Sequence, residues 1–348
     1  GNLQEPAWNQ AASLFGMINL SNPEKSWRIP ANHVRLFCDA QNLYIGFTSF
    51  LPPGTNIKIG PAPSDGEKEI WGSESFELYF INEKDHYRFA GSYAGGATES
   101  KNNDVHYNPA WTYRTSNKMQ VDDSVCWQGE MMIPWQSIGF AAPPKDGVKF
   151  NFCRTWRLND ELIISALSRP GFGYDDYEAY TLLLPAEDVP SLQVTAQNDP
   201  TYGNLEQKFT ARSTSPFNAR FQVTLENSLG MITPEVAFRK DLHLTPGADV
   251  DFALNIPLTA SNLDSVVFTL SDSEGKNIYQ QQVIPVRISP DYLSILPLFG
   301  QEKVLIRYRK NQADAKFGKG FQAKLVLVSP DNTDLYFLAA NMESTWIP

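Results

Sequence analysis

Apolar and polar residues alternate with a period of two over short runs along the whole chain, and stretches with a 3.6-residue period are scarce. The alternation predicts a first hairpin pairing 33–39 with 42–48 across Ala40-Gln41, and a second pairing 75–81 with 86–90. Further strands are expected at 125–133, 148–157, 161–167 and 177–184. Pro134-Trp135-Gln136-Ser137-Ile138-Gly139 has proline inside its start and glycine at its end, which predicts one short helical turn. Turn-forming residues crowd 51–66 and 95–108, and both segments are long enough to be functional loops.

Pro185-Ala-Glu-Asp-Val-Pro190 is the expected boundary after this first unit: short, polar and twice interrupted by proline. Beyond it, strands are predicted at 207–214, 220–226, 249–256, 265–271 and 278–286, with Asp272-Ser-Glu-Gly275 turning the chain between the last two. Their spacing suits an immunoglobulin-like sandwich that lacks the Cys…Trp…Cys signature. Runs at 303–309, 321–328 and 335–339 continue the pattern, but three strands make a thin independent core. The expected organisation is therefore an all-β chain: a β-sandwich at 1–188, an immunoglobulin-like sandwich at 189–290, and a β-rich segment at 291–348 that is a cut-off third sandwich or depends on its neighbour.

Composition agrees with that class. Of 348 residues, 42% are apolar, 20% charged and 12% aromatic, with 22 glycines and 24 prolines, a mixture suited to strands and turns rather than to disorder. A net charge of −10 disfavours nucleic acid or an anionic membrane as partner. No run approaches the roughly 18 apolar residues of a membrane span. Cys38, Cys126 and Cys153 are three in number and far apart, without a C-x-x-C pair, and are expected to be buried free thiols. Phosphate-loop, zinc-protease, serine-elbow and EF-hand patterns are absent, and no two of the four histidines have a helical ligand spacing.

The second hairpin carries the most chemistry. Phe76, Leu78 and Phe80 alternate with Glu77 and Tyr79, while Tyr87 and Phe89 alternate with His86, Arg88 and Ala90. A four-residue loop sets Ile81 opposite His86, hence Tyr79 opposite Arg88 and Glu77 opposite Ala90, and this register puts both apolar sets on one face. Glu77, Tyr79 and Arg88 then share the other face, with Trp71 just before the strand. The cluster reads either as a surface ion pair beside an ordinary tryptophan or as a sugar site. In the second case the carboxylate and guanidinium bind hydroxyls and the indole covers the C–H face of a pyranose.

Several segments between Trp8 and Leu184 together resemble the family-9 carbohydrate-binding modules. They are Asp39-Ala-Gln-Asn-Leu-Tyr-Ile45, the Trp71…Glu77 spacing, Trp127-Gln-Gly-Glu130-Met-Met-Ile-Pro-Trp135 and Asn151-Phe-Cys-Arg154. The resemblance implies a jelly-roll β-sandwich that holds sugar between two aromatic rings, with Trp71 as the first ring and Glu77 as the acid. The family's second tryptophan is missing from its expected place, and Phe172 and Tyr174 are the rings that would replace it. Trp127, Glu130, Pro134 and Trp135 are read as serving the fold. The resemblance also allows a structural calcium ion, with Asp104, Asp122 and Asp123 as loop oxygen donors. Some relatives of this sandwich bind haem b, for which Met131, Met132, His86 and His106 would be the axial candidates.

The expected function is non-catalytic carbohydrate binding within a secreted or periplasmic polysaccharide-processing protein, through Trp71, Glu77, Tyr79, Arg88, Phe172 and Tyr174. The alternative is a set of structural accessory domains of a larger glycoside hydrolase or surface protein, with a degenerate site. An enzymatic role for the chain itself finds no motif.

Overall fold

Alternation becomes antiparallel sheet throughout. The structure, a computed structural model, describes residues 1–20, 32–51, 70–83, 85–121, 124–158, 161–168, 174, 177–186, 189–197, 203–226, 234–258 and 265–283. In the C-terminal part it describes 293–298, 303–308, 324–328, 334–339 and 344–347. Residues 1–286 form one compact unit and 287–348 a second.

The first sandwich contains β1 (Ala12–Leu14), β2 (Ile18–Asn19), β3 (Asn32–Cys38), β4 (Asn42–Phe50), β5 (Ser75–Asn82) and β6 (Asp85–Ser92). It continues with β7 (Ala97–Lys101), β8 (Thr112–Val121), β9 (Ser124–Pro134), β10 (Val148–Leu158), β11 (Glu161–Ala166) and β12 (Thr181–Leu183). One sheet runs β1-β3-β4-β9-β8; the other runs β2-β11-β10-β5-β6-β7, with β12 also on β10. The inward sets of both sheets, among them Val34, Ile45, Phe47, Phe76, Leu78, Phe80, Phe89, Trp127, Phe150, Phe152 and Trp156, form one buried cluster.

The β5–β6 register is Ile81↔His86, Tyr79↔Arg88 and Glu77↔Ala90, extended to Asn82↔Asp85, so the hairpin closes two residues tighter than the four-residue loop while keeping the expected pairs. The turn at Trp135–Ile138 is a 3-10 turn closed by Gly139 at φ 81°, a left-handed geometry that glycine adopts without strain. Trp127 and Trp135 are buried; the Trp135 indole donates to the Asp39 carbonyl at 3.1 Å, and Glu130 accepts the Trp8 indole N–H at 3.2 Å.

Three expectations change. The 177–184 strand begins as a 3-10 turn at Tyr177–Ala179, and only Thr181–Leu183 joins the sheet. The supposed loop at 95–108 contains β7, an edge strand paired with β6. Cys38 is half-buried rather than buried, although all three cysteines are free thiols. The 51–66 segment lies almost wholly outside the described residues.

A second hydrophobic cluster fills the space between β13 (Ser191–Gln197), β14 (Gly203–Arg212), β15 (Phe217–Glu226), β16 (Glu235–Leu244), β17 (Val250–Leu258), β18 (Ser265–Asp272) and β19 (Asn277–Val283). Their sheet orders are β13-β14-β17 and β16-β15-β18-β19. The chain's start bridges the two cores. Leu14 and Met17 pack into the first cluster, whereas Phe15 is fully buried in the second. Gln193 of β13 donates to the carbonyls of Trp8 and Ala11. In the 287–348 unit, β20 (Leu293–Leu298), β21 (Lys303–Tyr308) and β24 (Ser344–Ile347) form one sheet, and β22 (Lys324–Val328) pairs with β23 (Asp334–Ala339) in another.

Candidate functional site

The outward face of the β10-β5-β6 sheet collects the predicted residues. Because Phe76, Leu78 and Phe80 point into the core, Glu77 and Tyr79 must project from the opposite face. The Tyr79 hydroxyl donates to Glu77 Oε2 at 2.5 Å. Both residues are nearly covered, at 7% and 8% exposure. Burial, with the Glu77 charge beside it, pushes the Tyr79 phenol far above its ordinary value, so it stays a neutral donor.

Arg88, directly across the ladder from Tyr79, lays its guanidinium over the Trp71 indole, 5.2 Å from the ring centroid. That spacing is a cation–π contact. Trp71 and Arg88 are both half-buried. Trp71 belongs to a 3-10 turn, Ile70–Gly72, closed by bonds from the Ser73 amide and hydroxyl to the Ile70 carbonyl.

Tyr174 lies against Tyr79, with ring centroids 5.9 Å apart at 51°. Its hydroxyl donates to the Arg154 carbonyl at 3.0 Å, and its own carbonyl accepts the Tyr180 hydroxyl. Tyr79, Cys153, Ala166 and Tyr180 form a small cluster there, with Tyr174 and Tyr177 packed against it. The structure thus brings Glu77, Tyr79 and Tyr174 together on one side and Trp71 with Arg88 on the other, joined by the Tyr79–Arg88 rung. Among the described ring contacts, Tyr174 meets Tyr79, and Trp71 meets Arg88. Phe172 lies outside the described residues.

Sequence reasoning missed the group beneath this face. Arg154 is fully buried, with its guanidinium 4.3 Å from the ring centroids of both Trp127 and Trp156. It donates to Glu74 Oε2 at 2.7 Å and to the Ser75 carbonyl at 2.6 Å. The other Glu74 oxygen accepts the Arg157 amide at 2.5 Å, and Arg157 Nη2 reaches the Trp71 carbonyl at 3.2 Å. The signal was present: Arg154 falls in phase with Phe150, Phe152 and Trp156 on a strand whose inner face is core.

Among the described residues the other cofactor candidates lie apart. Asp104 accepts the His106 amide proton, whereas Asp122 and Asp123 lie outside the described residues. Among the described residues no three His, Cys, Asp or Glu side chains group as metal ligands. Met131 is fully buried in the core, its neighbour Met132 points the other way, and His86 packs on Tyr177 on the outer face of the opposite sheet.

No family model matches the chain, and no curated protein does either. Among solved structures it is similar to a protein from Bacteroides uniformis, provisionally described as carbohydrate-binding. The identity is 12% over 50% of this chain and 86% of that one, with a TM-score of 0.40. It is also similar to beta-glucosidase 3B from Thermotoga neapolitana (12% identity, 32% of this chain, 17% of that one, TM-score 0.22). A beta-glucosidase from Kluyveromyces marxianus gives 6% identity over 71% of this chain and 44% of that one, with a TM-score of 0.23. The chain therefore spans less than half of either glucosidase.

Proposed function

We propose that the first sandwich is a non-catalytic carbohydrate-binding unit, related to the family-9 modules, whose ligand is a mono- or oligosaccharide. The observation that carries this reading is the Arg88 guanidinium over the half-buried Trp71 indole, one ladder rung from the Tyr79–Glu77 pair. An indole of that kind offers an apolar plate for sugar C–H groups, and guanidinium, phenol and carboxylate offer hydroxyl partners beside it. On the same reading the second sandwich is an immunoglobulin-like spacer, and the whole belongs to a secreted or periplasmic protein that handles polysaccharide.

A second reading, structural accessory domains with a degenerate site, is favoured by one specific observation. Glu77 and Tyr79 are nearly covered and bond to each other, which leaves less of their hydrogen-bonding capacity for a ligand. Calorimetric titration of gluco-, xylo-, galacto- and mannosides into the chain, beside Trp71→Ala, separates the two. Saturable heat that Trp71→Ala abolishes supports the sugar unit; no heat from any sugar supports the accessory role. Turnover of aryl glycosides by the chain would contradict both.

A further inference from the structure

The Trp71 turn is only three residues long and holds too few bonds of its own to fix an indole. Its bonds to the sheet come from elsewhere. Arg157 projects from β10 on the outer face, because Trp156 beside it is in the core. From there its Nη2 donates to the Trp71 carbonyl at 3.2 Å. The Arg157 amide is in turn seated on Glu74 Oε1 at 2.5 Å, and Glu74 Oε2 is fixed by the buried Arg154. Glu74 sits three residues after Trp71 and one before β5, so the strand entry and the indole turn hang from the same two β10 arginines.

We infer that Arg157 is a positioning residue for Trp71: it touches no ligand but sets the orientation in which the indole is presented to a sugar. The affinity part of this inference rests on the sugar-binding reading; the orientation part does not. A guanidinium that reaches a carbonyl across the turn holds the backbone on which the ring is mounted, and the Arg88 contact then holds the ring itself. Removing the Arg157 side chain leaves its amide, and therefore the Glu74 bond, in place. The variant thus tests the clasp without dismantling the core pair.

The experiment records the indole N–H signals of the eight tryptophans by proton–nitrogen correlation NMR, with the Trp71 signal assigned by its loss in Trp71→Phe. Arg157→Met is expected to shift or broaden the Trp71 signal while the seven others hold, and Arg157→Lys to restore it partly. In the calorimetric titration, Arg157→Met is expected to raise the Kd for the best sugar at least tenfold, with Arg157→Lys between it and the wild type. An unmoved Trp71 signal together with unchanged affinity overturns the inference and leaves the sugar reading standing. If the wild-type chain takes no sugar, that reading falls instead, and the Trp71 signal alone decides whether Arg157 positions the ring. General signal loss in Arg157→Met is resolved by Arg157→Lys: a shifted Trp71 signal with the seven others in place supports the clasp, and an unmoved Trp71 signal overturns it.

Discussion

The carboxylate of Glu74 lies 2.7 Å from the guanidinium of Arg154 inside the first sandwich, with both side chains wholly out of solvent. Burial pushes the Glu74 carboxyl up and the Arg154 guanidinium down, and each charge opposes the other's shift. The pair persists because Arg154 Nη1 also donates to the Ser75 carbonyl and Glu74 Oε1 accepts the Arg157 amide, leaving Arg154 Nε without a hydrogen-bond partner among the described residues, and because Trp127 and Trp156 face the cation. Arg154→Met leaves an uncompensated acid in the core and is expected to cost about 3–5 kcal/mol. Adding Glu74→Gln removes the second charge and should recover part of that loss. Urea denaturation followed by tryptophan fluorescence measures both; a single variant within about 1 kcal/mol of wild type contradicts the argument.

Gly129 of β9 faces inward between Trp127 and Met131, and a Cβ there would stand 2.3 Å from the Phe47 ring. Phe47 is itself wedged among Phe76, Trp127 and Phe152, so it has little room to retreat. Gly129→Ala is expected to destabilise by about 1–3 kcal/mol through overpacking. Gly72, whose added Cβ would meet nothing within 4 Å, is the control, and Gly72→Ala should leave the denaturation midpoint nearly unchanged.

The elements legible in the sequence are those where two independent constraints agreed. For 75–90, turn length and alternation both demanded the Tyr79↔Arg88 register, and a one-residue slip of the first strand would have exposed Phe76, Leu78 and Phe80. β7 was illegible because Ala97-Thr-Glu-Ser-Lys101 carries no large apolar side chain; it is held as an edge by its ladder to β6. Residues 177–179 form a 3-10 turn instead of strand because Tyr177 and Tyr180, three residues apart, both pack at the small outer cluster, whereas a strand would set them on opposite faces. Within the site, Glu77, Tyr79 and Arg88 followed from register alone. The Glu74–Arg154 pair did not, because binary patterning treats a charged residue in an inward phase as an exception rather than as a buried partner.

The alkaline limb of stability follows from the thiols and phenols. Burial pushes the Cys126 thiol up to about 11 from an ordinary 9.0; it also raises Cys153, Tyr113 and Tyr279. In each case the folded state holds its proton to higher pH than the unfolded chain does. The contribution of Cys126 is therefore whole below pH 9 and is lost as pH rises towards 11. Thermal melts at pH 8, 9, 10 and 11 should show Tm falling over that window, and Cys126→Ala should reduce the fall. A Tm that is flat from 8 to 11 would refute the assignment.

Phe15 offers a test of how the two cores of the 1–286 unit are tied. It sits fully buried against Phe209 and Phe268 of the second sandwich, at 6.2 and 5.3 Å between centroids, while its neighbour Leu14 is buried in the first. The chain at the end of β1 thus delivers adjacent side chains to two different cores, and the Phe15 amide donates to the Gln281 side chain on β19. Phe15→Ala removes the ring from the second core and is expected to cost about 3–5 kcal/mol. The loss should fall on the second sandwich. Amide hydrogen exchange in β15 and β18 should quicken, while β5 and β10, whose contacts lie in the other cluster, keep their protection. Equal acceleration in both sandwiches would mean instead that they unfold as a single cooperative body, with Phe15 acting on the whole rather than on one half.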